Sequence, residues 1–486
     1  MSVSSLLKNK CYVNGKWISA KDRTVFVVIN PSTGEIVGEV PDMIEGDTNE
    51  AIAAADAAFQ TWRQTTAKER CQILHKWHDL ILKHKEELAV ILTKEMGKPL
   101  KQSMLEIDNG ASFVDWFAEE ARRVCGDVIT TPAKGRKLFA FKQPIGVAGM
   151  ITPWNVPHAM VTRKAGVALA AGCTVVLKPA EDTPFSALAL CELGEQAGFP
   201  PGVLNVVTCS RQNAAKVGNA ICTSPLVAKI SFTGSTAVGK ILLKTGASTV
   251  KKFSLELGGN APFIVFDSAD VDRAVAGLIV CKFRNSGQTC ISANRILVQE
   301  KMYDSFVEKV VAAMKEQLHV GDGFDAKCTV GPLINQRAVE KVENHIKNAL
   351  SNGGKLLLGG KRHKLGGTFF EPTLISNATA DMLFCTEETF APMAAIIKFK
   401  TEEEATRIAN DTRSGLAGYF YSNDHQQIWR VADKINVGIL GVNEGALVAC
   451  VEGPFGGVKE SGIGIEGSKY GIEEYLHIKY VCIGGL

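Results

Sequence analysis

The chain has 486 residues, too many for one small core, and that length suggests about three domain-sized regions. Hydrophobic residues make up 46% and charged residues 22%, an ordinary globular composition, and the net charge of +3 excludes nucleic-acid or membrane partners attracted by bulk charge. No apolar run reaches the ~20 residues of a membrane span, and thirteen cysteines without a CxxC pair exclude a disulfide framework or zinc motif and point to a reducing compartment.

Along the chain, Cys11-Tyr-Val-Asn-Gly-Lys-Trp-Ile18 reads as a hairpin turning at Asn14-Gly15. Asp47 or Thr48 is placed to cap an Ala-rich helix to Trp62, and one helical pattern runs from about Ala67 to Met96, ended by Gly97 and Pro99. His75 and His78 on that pattern have metal-ligand spacing, but no further ligand stands near them in sequence. A packed or solvated helix face is the preferred reading, and no metal is expected. The opening segment carries Ser and Lys but no Arg, a poor transit peptide, and reads as no signal peptide.

From Ile145 short apolar strands alternate with helices: Thr174-Val-Val-Leu-Lys178, a helix from Pro184 to Gly198, Val203-Leu-Asn-Val-Val207, a helix from Arg211 to Ala220, then Ala228-Lys-Ile-Ser-Phe232. This alternation predicts a doubly wound parallel sheet that binds a dinucleotide. A second α/β unit starts at Ala261-Pro-Phe-Ile-Val-Phe266, and its helix, Asp270 to Arg284, leads into the turn at Cys290.

Two glycine motifs mislead. Gly462-Ile-Gly-Ile-Glu-Gly467 fits the dinucleotide fingerprint, yet too few residues follow it for a βαβ unit, so a loop is expected. Gly234-Ser-Thr-Ala-Val-Gly-Lys240 falls short of a Walker A motif because Ile241 stands where Ser or Thr would bind magnesium, which argues against a nucleotide hydrolase. Gly234 and Ser235 still open a helix after a strand, where backbone N–H groups suit a pyrophosphate.

The most informative stretch is Phe283-Arg-Asn-Ser-Gly-Gln-Thr-Cys290. It sets one thiol in a polar turn rich in hydrogen-bond donors, able to stabilise a thiolate and an oxyanion. Glu256, in Leu255-Glu-Leu-Gly-Gly259, sits in a hydrophobic run where an unpaired carboxylate is expensive to bury, which favours a functional role. Asn155 lies between Pro153 and Pro157.

These three segments, in this order and spacing, resemble the aldehyde dehydrogenase superfamily nearly end to end. The likeness is closest to the succinate-semialdehyde dehydrogenases, through Thr162-Arg-Lys164, Lys178-Pro-Ala-Glu-Asp-Thr-Pro184, Phe283-Arg-Asn285, Glu466-Gly-Ser-Lys-Tyr-Gly471 and Lys479-Tyr-Val-Cys-Ile-Gly-Gly-Leu486. The resemblance implies an NAD-dependent oxidation of succinate semialdehyde to succinate. Cys290 would attack as the nucleophile, Asn155 would hold the oxyanion, and Glu256 would activate water against the thioester.

The resemblance also implies that Trp154, Lys178, Glu181, Gly234, Ser235, Glu388 and Phe390 bind the cofactor. Glu181 would accept hydrogen bonds from a ribose 2′-hydroxyl and repel a 2′-phosphate, predicting NAD over NADP. Ala391 replaces the family's usual glycine, and its Cβ is expected to crowd that turn slightly. Arg163 and Arg284 match a pair that grips a distal carboxylate, although a structural salt bridge is the bland alternative for each.

Two departures stand out. Val448 or Ala449 falls where the pocket serine is expected, with Cys450 as a weak substitute, so another or broader aldehyde is an alternative substrate. Ser292 replaces a cysteine able to cross-link Cys290, so no redox switch is expected within the loop.

The expected organisation has residues 1–124 and 145–255 as an NAD-binding domain, 256–459 as an α/β catalytic domain, and 125–144 with 460–486 as a small β oligomerisation element. The terminal strand would pair with a hairpin near residues 125–143 and make a homo-oligomer, dimer or tetramer, in the cytoplasm or mitochondrial matrix. The reading from outside enzymology is a non-catalytic NAD-binding or structural protein. The presence of Cys290, Glu256 and Asn155 together argues against it.

Overall fold

The computed structural model describes residues 5–447 and 450–485. Two large sheets carry the chain. The first has eight strands in the order Lys16–Ile18, Cys11–Val13, Leu204–Val206, Thr174–Lys178, Val147–Ile151, Val227–Thr233, Lys252–Glu256 and Gly462–Ile463. Its five central strands run parallel, and both edges are closed by antiparallel additions. Thr174–Lys178 is buried along its whole length, as a strand covered by helices on both faces must be.

The helices that cover the first sheet, or lie beside it, are α1 (Glu45–Trp62), α2 (Ala67–Lys83), α3 (Lys85–Met96), α4 (Leu100–Glu120), α5 (Pro157–Ala171), α6 (Phe185–Ala197), α7 (Ala214–Thr223) and α8 (Thr236–Gly246). The second sheet has seven strands, ordered Lys355–Leu358, Thr373–Ala378, Met393–Phe399, Ala293–Gln299, Ala261–Val265, Ala417–Tyr421 and Ile439–Val442. All its pairs are parallel except the first. Helix α9 (Val271–Phe283) crosses over between two of its neighbouring strands and is capped by Asp270, whose carboxylate accepts from the backbone N–H of Asp272 and Arg273.

A third, three-stranded sheet pairs Leu476–Gly484 with Arg136–Pro144 antiparallel along nine residues, and Arg136–Pro144 with Asp127–Ile129. Among the described residues, no helix is long and apolar enough to cross a membrane.

Several local expectations need correction. The pattern from 67 to 96 is two helices, broken at His84, which leaves helical geometry (φ −103°, ψ 19°) and caps both. Helix α1 begins at Glu45, ahead of the expected caps. Asp47 lies in its first turn, and its carboxylate reaches back to accept from the Ile44 N–H at 3.1 Å. The helix expected over 211–220 forms three residues later. Gly462–Ile463, expected in a loop, is a short edge strand paired with Leu255–Glu256. Gly97 ends α3 in the left-handed region (φ +82°), packed so closely against Pro31 and Pro332 that no Cβ would fit.

Candidate active site

Cys290 lies where two cavities meet. One, of about 500 Å³, is lined by Phe113, Met160, Arg163, Arg284, Leu447 and Phe455 among others; the second, of about 370 Å³, by Trp154, Asn155, Gly234, Ser235, Glu388 and Phe390. Cys290 belongs to both walls.

The turn that presents this thiol is strained. Asn285 (φ 53°), Ser286 (φ 57°) and Gly287 (φ 73°) lie consecutively in the left-handed region, which costs about 1–3 kcal/mol for each non-glycine residue. Side chains over-determine the turn. Asn285 Nδ2 donates to the carbonyls of Asn155 (3.0 Å) and Gln288 (3.1 Å), and Ser286 Oγ donates to the Gly331 carbonyl (2.8 Å). Gln288 Oε1 accepts from the Ile334 N–H at 2.9 Å. Thus the polar string read as a source of donors for the nucleophile is largely consumed in holding its loop.

The thiol itself is not activated by these surroundings. Burial first, then the Glu388 and Glu256 carboxylates, push it up to about 12, with Arg163 acting against them. Glu388 is itself pushed up to about 7 by burial, although Gly259 N–H donates to it at 3.0 Å.

Asn155 is buried, and its Nδ2 donates to the Gln288 carbonyl at 2.9 Å, leaving one N–H of the amide for a second acceptor. Its carbonyl accepts from Lys98 Nζ at 2.8 Å. Lys98 is in turn paired with Glu106 inside the protein, and Glu106 Oε1 accepts from the His158 and Ala159 N–H groups at the start of α5. Lys98, Glu106, Asn285 and Gln288 therefore position Asn155; the motif reading missed Lys98 and Glu106 and took Asn285 and Gln288 only as part of the polar turn. The available signal was a charge in or beside an apolar helical run, as at Lys98 and Glu106.

Glu256 ends the Lys252–Glu256 strand, and both its carboxylate oxygens are buried without a hydrogen-bond partner. Burial, then the neighbouring Glu466 carboxylate, hold it well above the ordinary carboxylate range, while Arg163 and Lys164 pull the other way. For Glu466, burial disfavours the charge, but Lys164 and then Arg163 overcome it and leave its pKa lowered. Two buried carboxylates are thus shifted in opposite directions by the charges around them. In the sequence Glu466 stands out only as part of a motif, and nothing local signals its place between Lys164 and Arg163.

Arg163 and Arg284 do line one cavity with Cys290. Arg163 is already engaged: its guanidinium lies 4.1 Å from the Phe455 ring centre and 4.7 Å from that of Phe113, and its Nε is 3.7 Å from Glu466. The expected pocket position at Val448 or Ala449 lies outside the described residues. Cys450 does not line the cavity; its thiol donates to Glu452 at 2.6 Å. Ser292 is buried, with its hydroxyl 3.4 Å from the Lys282 carbonyl.

The second cavity suits a dinucleotide. Ser235 caps α8, accepting from the Val238 N–H, so the helix N-terminus with its free N–H groups opens onto the cavity. Trp154 and Phe390 meet edge to face at 5.5 Å on its wall, with Phe390 held at φ +56°. Ala391 is fully buried in the core of the second sheet, and its φ is not positive, so its Cβ packs there instead of crowding the turn.

Lys178 and Glu181 are absent from this cavity's lining. Lys178 Nζ donates to the Pro179 carbonyl at 2.9 Å and lies 4.0 Å from Glu181. Arg211, Arg337 and Lys341, which the motif reading passed over, line it instead. Asp182 is pushed up to about 6 by burial and then Glu181, with Arg337 and Arg211 opposing.

Comparison with known proteins places the whole chain. Residues 17–481 match the Aldehyde dehydrogenase family. The chain is 59% identical over 483 residues to the mitochondrial succinate-semialdehyde dehydrogenase of Hylobates lar, covering 99% of this chain and 90% of that one. The crystal structure of succinate-semialdehyde dehydrogenase from Burkholderia pseudomallei is 52% identical with a TM-score of 0.97, covering 100% of this chain and 99% of that one. An E. coli structure described as an NADP dependent enzyme is 51% identical, also at 0.97, covering 99% of both chains. This chain belongs to the aldehyde dehydrogenase family.

Proposed function

We propose that the protein oxidises succinate semialdehyde to succinate with NAD. The observation that carries this reading is the position of Cys290 in the wall shared by a cavity holding Arg163 and Arg284 and a cavity opened by a helix N-terminus. The likeness to succinate-semialdehyde dehydrogenases supports the substrate.

Bound dinucleotide would supply the hydride acceptor, held by Gly234 and Ser235 at its pyrophosphate and by Trp154, Glu388 and Phe390 around the nicotinamide end. Lys178 and Glu181 would meet the adenosine ribose, and the Glu181 carboxylate favours a 2′-hydroxyl over a 2′-phosphate. The chain's own residues do the rest. Cys290 gives its thiol proton to water and attacks the aldehyde carbon. The Asn155 amide and the Cys290 N–H hold the resulting oxyanion until its collapse expels the former aldehyde hydrogen as hydride and leaves the acyl group on sulfur. Glu256, once deprotonated, takes the proton of the water that releases the acyl group from sulfur.

Arg284 is the better placed of the two arginines to receive the distal carboxylate, because Arg163 is shared with Glu466. That sharing also favours a second reading, a broader aldehyde preference with a weak carboxylate grip. Comparing NADH formation from succinate semialdehyde and from a neutral aldehyde of similar length, with Cys290→Ala as control, separates the two. A large preference for the semialdehyde supports the first, and equal rates support the second. Substituting NADP for NAD in the same assay tests Glu181, and a preference for NADP would overturn its assignment.

The assignment of residues 1–124 and 145–255 to cofactor binding and of 256–459 to catalysis follows the two large sheets. Residues 125–144 and 460–486 would join subunits of a homo-oligomer, since Phe141, Ile478 and Tyr480 expose apolar surface on the small sheet. Thirteen free cysteines and the mitochondrial relative favour a reducing compartment, matrix or cytoplasm.

A further inference from the structure

Away from the active site, α2 and α4 bring a second group of reactive side chains together. Cys71 and His75 stand one helical turn apart on α2, so both face the same neighbour, and Glu119 and Asp115 have the same spacing on α4. Ligand atoms of Cys71, His75 and Glu119 all lie within 4.8 Å of one another. His75 Nε2 is 2.8 Å from Glu119 Oε1, and Cys71 Sγ is 3.9 Å from the same oxygen. A tetrahedral zinc-class ion with bonds of about 2.3 Å to sulfur and 2.0–2.1 Å to nitrogen and oxygen needs its ligands about 3.3–3.6 Å apart. Glu119 must move by about half an ångström relative to His75 and Cys71, and the remaining pair, no farther apart than 4.8 Å, must draw in by up to about 1.2 Å.

The far side of the imidazole supplies an independent observation. His75 Nδ1 faces Asp115 Oδ1 at 3.3 Å. This is an ion-pair contact without hydrogen-bond geometry, so a small turn of the Asp115 carboxylate is needed before it accepts from Nδ1–H, fixes the tautomer and directs the Nε2 lone pair at a metal. Here that direction is toward Cys71 and Glu119. His75 and Glu119 are partly exposed while Cys71 is 4% exposed, so an ion can enter from solvent and end against the sulfur. In the sequence only His78 stands at ligand spacing from His75, and the expectation there is a packed or solvated helix face with no metal. In the structure His78 instead contacts Asp79, and the partners of His75 come from a helix some forty residues away.

We propose that Cys71, His75 and Glu119 bind a divalent cation of the zinc class, with Asp115 orienting His75 and water as the fourth ligand. Binding displaces the thiol proton of Cys71 and any proton on His75 Nε2 to solvent, and no electrons are transferred. Burial and then Glu119 raise the Cys71 thiol, with Arg122 opposing, so the ion must compete with both a proton and a nearby guanidinium. The ion would pin α2 to α4, and α4 supplies Leu105, Asn109, Ser112 and Phe113 to the substrate cavity.

The competing account is a histidine ring held between two carboxylates with no metal affinity. The test uses the full-length, metal-free protein carrying Cys290→Ser, so that the active-site thiol does not compete. Titration with Co²⁺ should show one equivalent bound with a thiolate-to-cobalt charge-transfer band in the near ultraviolet, displaced by Zn²⁺. Adding Cys71→Ser should remove the band. The changes Glu119→Gln and His75→Ala, at partly exposed positions, should each weaken binding by at least about tenfold, and Asp115→Asn by about tenfold or more, the usual cost of losing an orienting partner. A band that survives Cys71→Ser, affinity indifferent to Glu119→Gln and His75→Ala, or no stoichiometric binding would overturn the proposal.

Discussion

Gly259 lies directly beneath the Cys290 backbone: a Cβ at Gly259 would stand 2.2 Å from the Cys290 carbonyl oxygen. The two segments that hold the proposed base and nucleophile, 255–259 and 283–290, are therefore packed backbone against backbone. Gly259→Ala must push the Cys290 turn aside by about 1 Å, and a displacement of that size typically costs about 10²-fold in rate. We expect kcat to fall on that order while circular dichroism stays that of the parent. Parent-like kcat would mean the loop tolerates the shift.

The carboxylates of Glu256 and Glu466 make a pH prediction. Glu256 has a raised pKa in the folded protein, so its neutral form is favoured there. Stability attributable to it is fully present below the ordinary carboxylate range and is lost as pH rises through the raised value. Glu256→Gln removes that loss. The Tm of the variant relative to the parent should climb as pH rises from the ordinary carboxylate range upward, and the variant's aldehyde oxidation should be severely impaired throughout. A Tm difference that is flat with pH would contradict the buried, proton-holding state.

Lys98 and Glu106 form a buried pair that reaches Asn155 through its carbonyl. Removing one partner leaves an uncompensated buried charge, and such losses cost about 3–5 kcal/mol. Lys98→Met should lower the denaturation midpoint accordingly and reduce kcat as well. The double variant Lys98→Met/Glu106→Leu should recover part of the stability but not the rate, since Glu106 also caps α5 beside Asn155.

The two arginines should behave differently. Arg284→Leu should raise KM for a carboxylate-bearing aldehyde by about 10–100-fold, the range of about 1.5–3 kcal/mol for a charged hydrogen bond, and leave a neutral aldehyde little changed. Arg163→Leu also strips Glu466 of a partner, so it should lower Tm and impair both aldehydes. Identical behaviour of the two variants would remove the distinction between gripping the substrate and holding the carboxylate.

Much of this site is legible in the amino-acid sequence alone. Cys290 stands out because a string of polar residues around a thiol is unusual, and Glu256 because a carboxylate in an apolar run needs a reason. The alternation of apolar strands and helices after residue 145 is a period that sequence carries directly. What escapes is set by contacts distant in sequence. Lys98 meets Asn155 across 57 positions and Lys164 meets Glu466 across 302, and neither spacing has a local signature. The break at His84 escapes because apolar periodicity continues through it, and the partners of His75 because they lie on another helix.

At the centre of the proposed mechanism, Cys290 would carry the acyl group and Glu256 would release it. Intact-mass and peptide mass spectrometry of Glu256→Gln mixed with NAD and succinate semialdehyde tests this most directly. A succinyl adduct confined to the Cys290 peptide, with NADH limited to about one equivalent per site, is the predicted result. Parent-like turnover by the variant, or an adduct on any other cysteine, would contradict it.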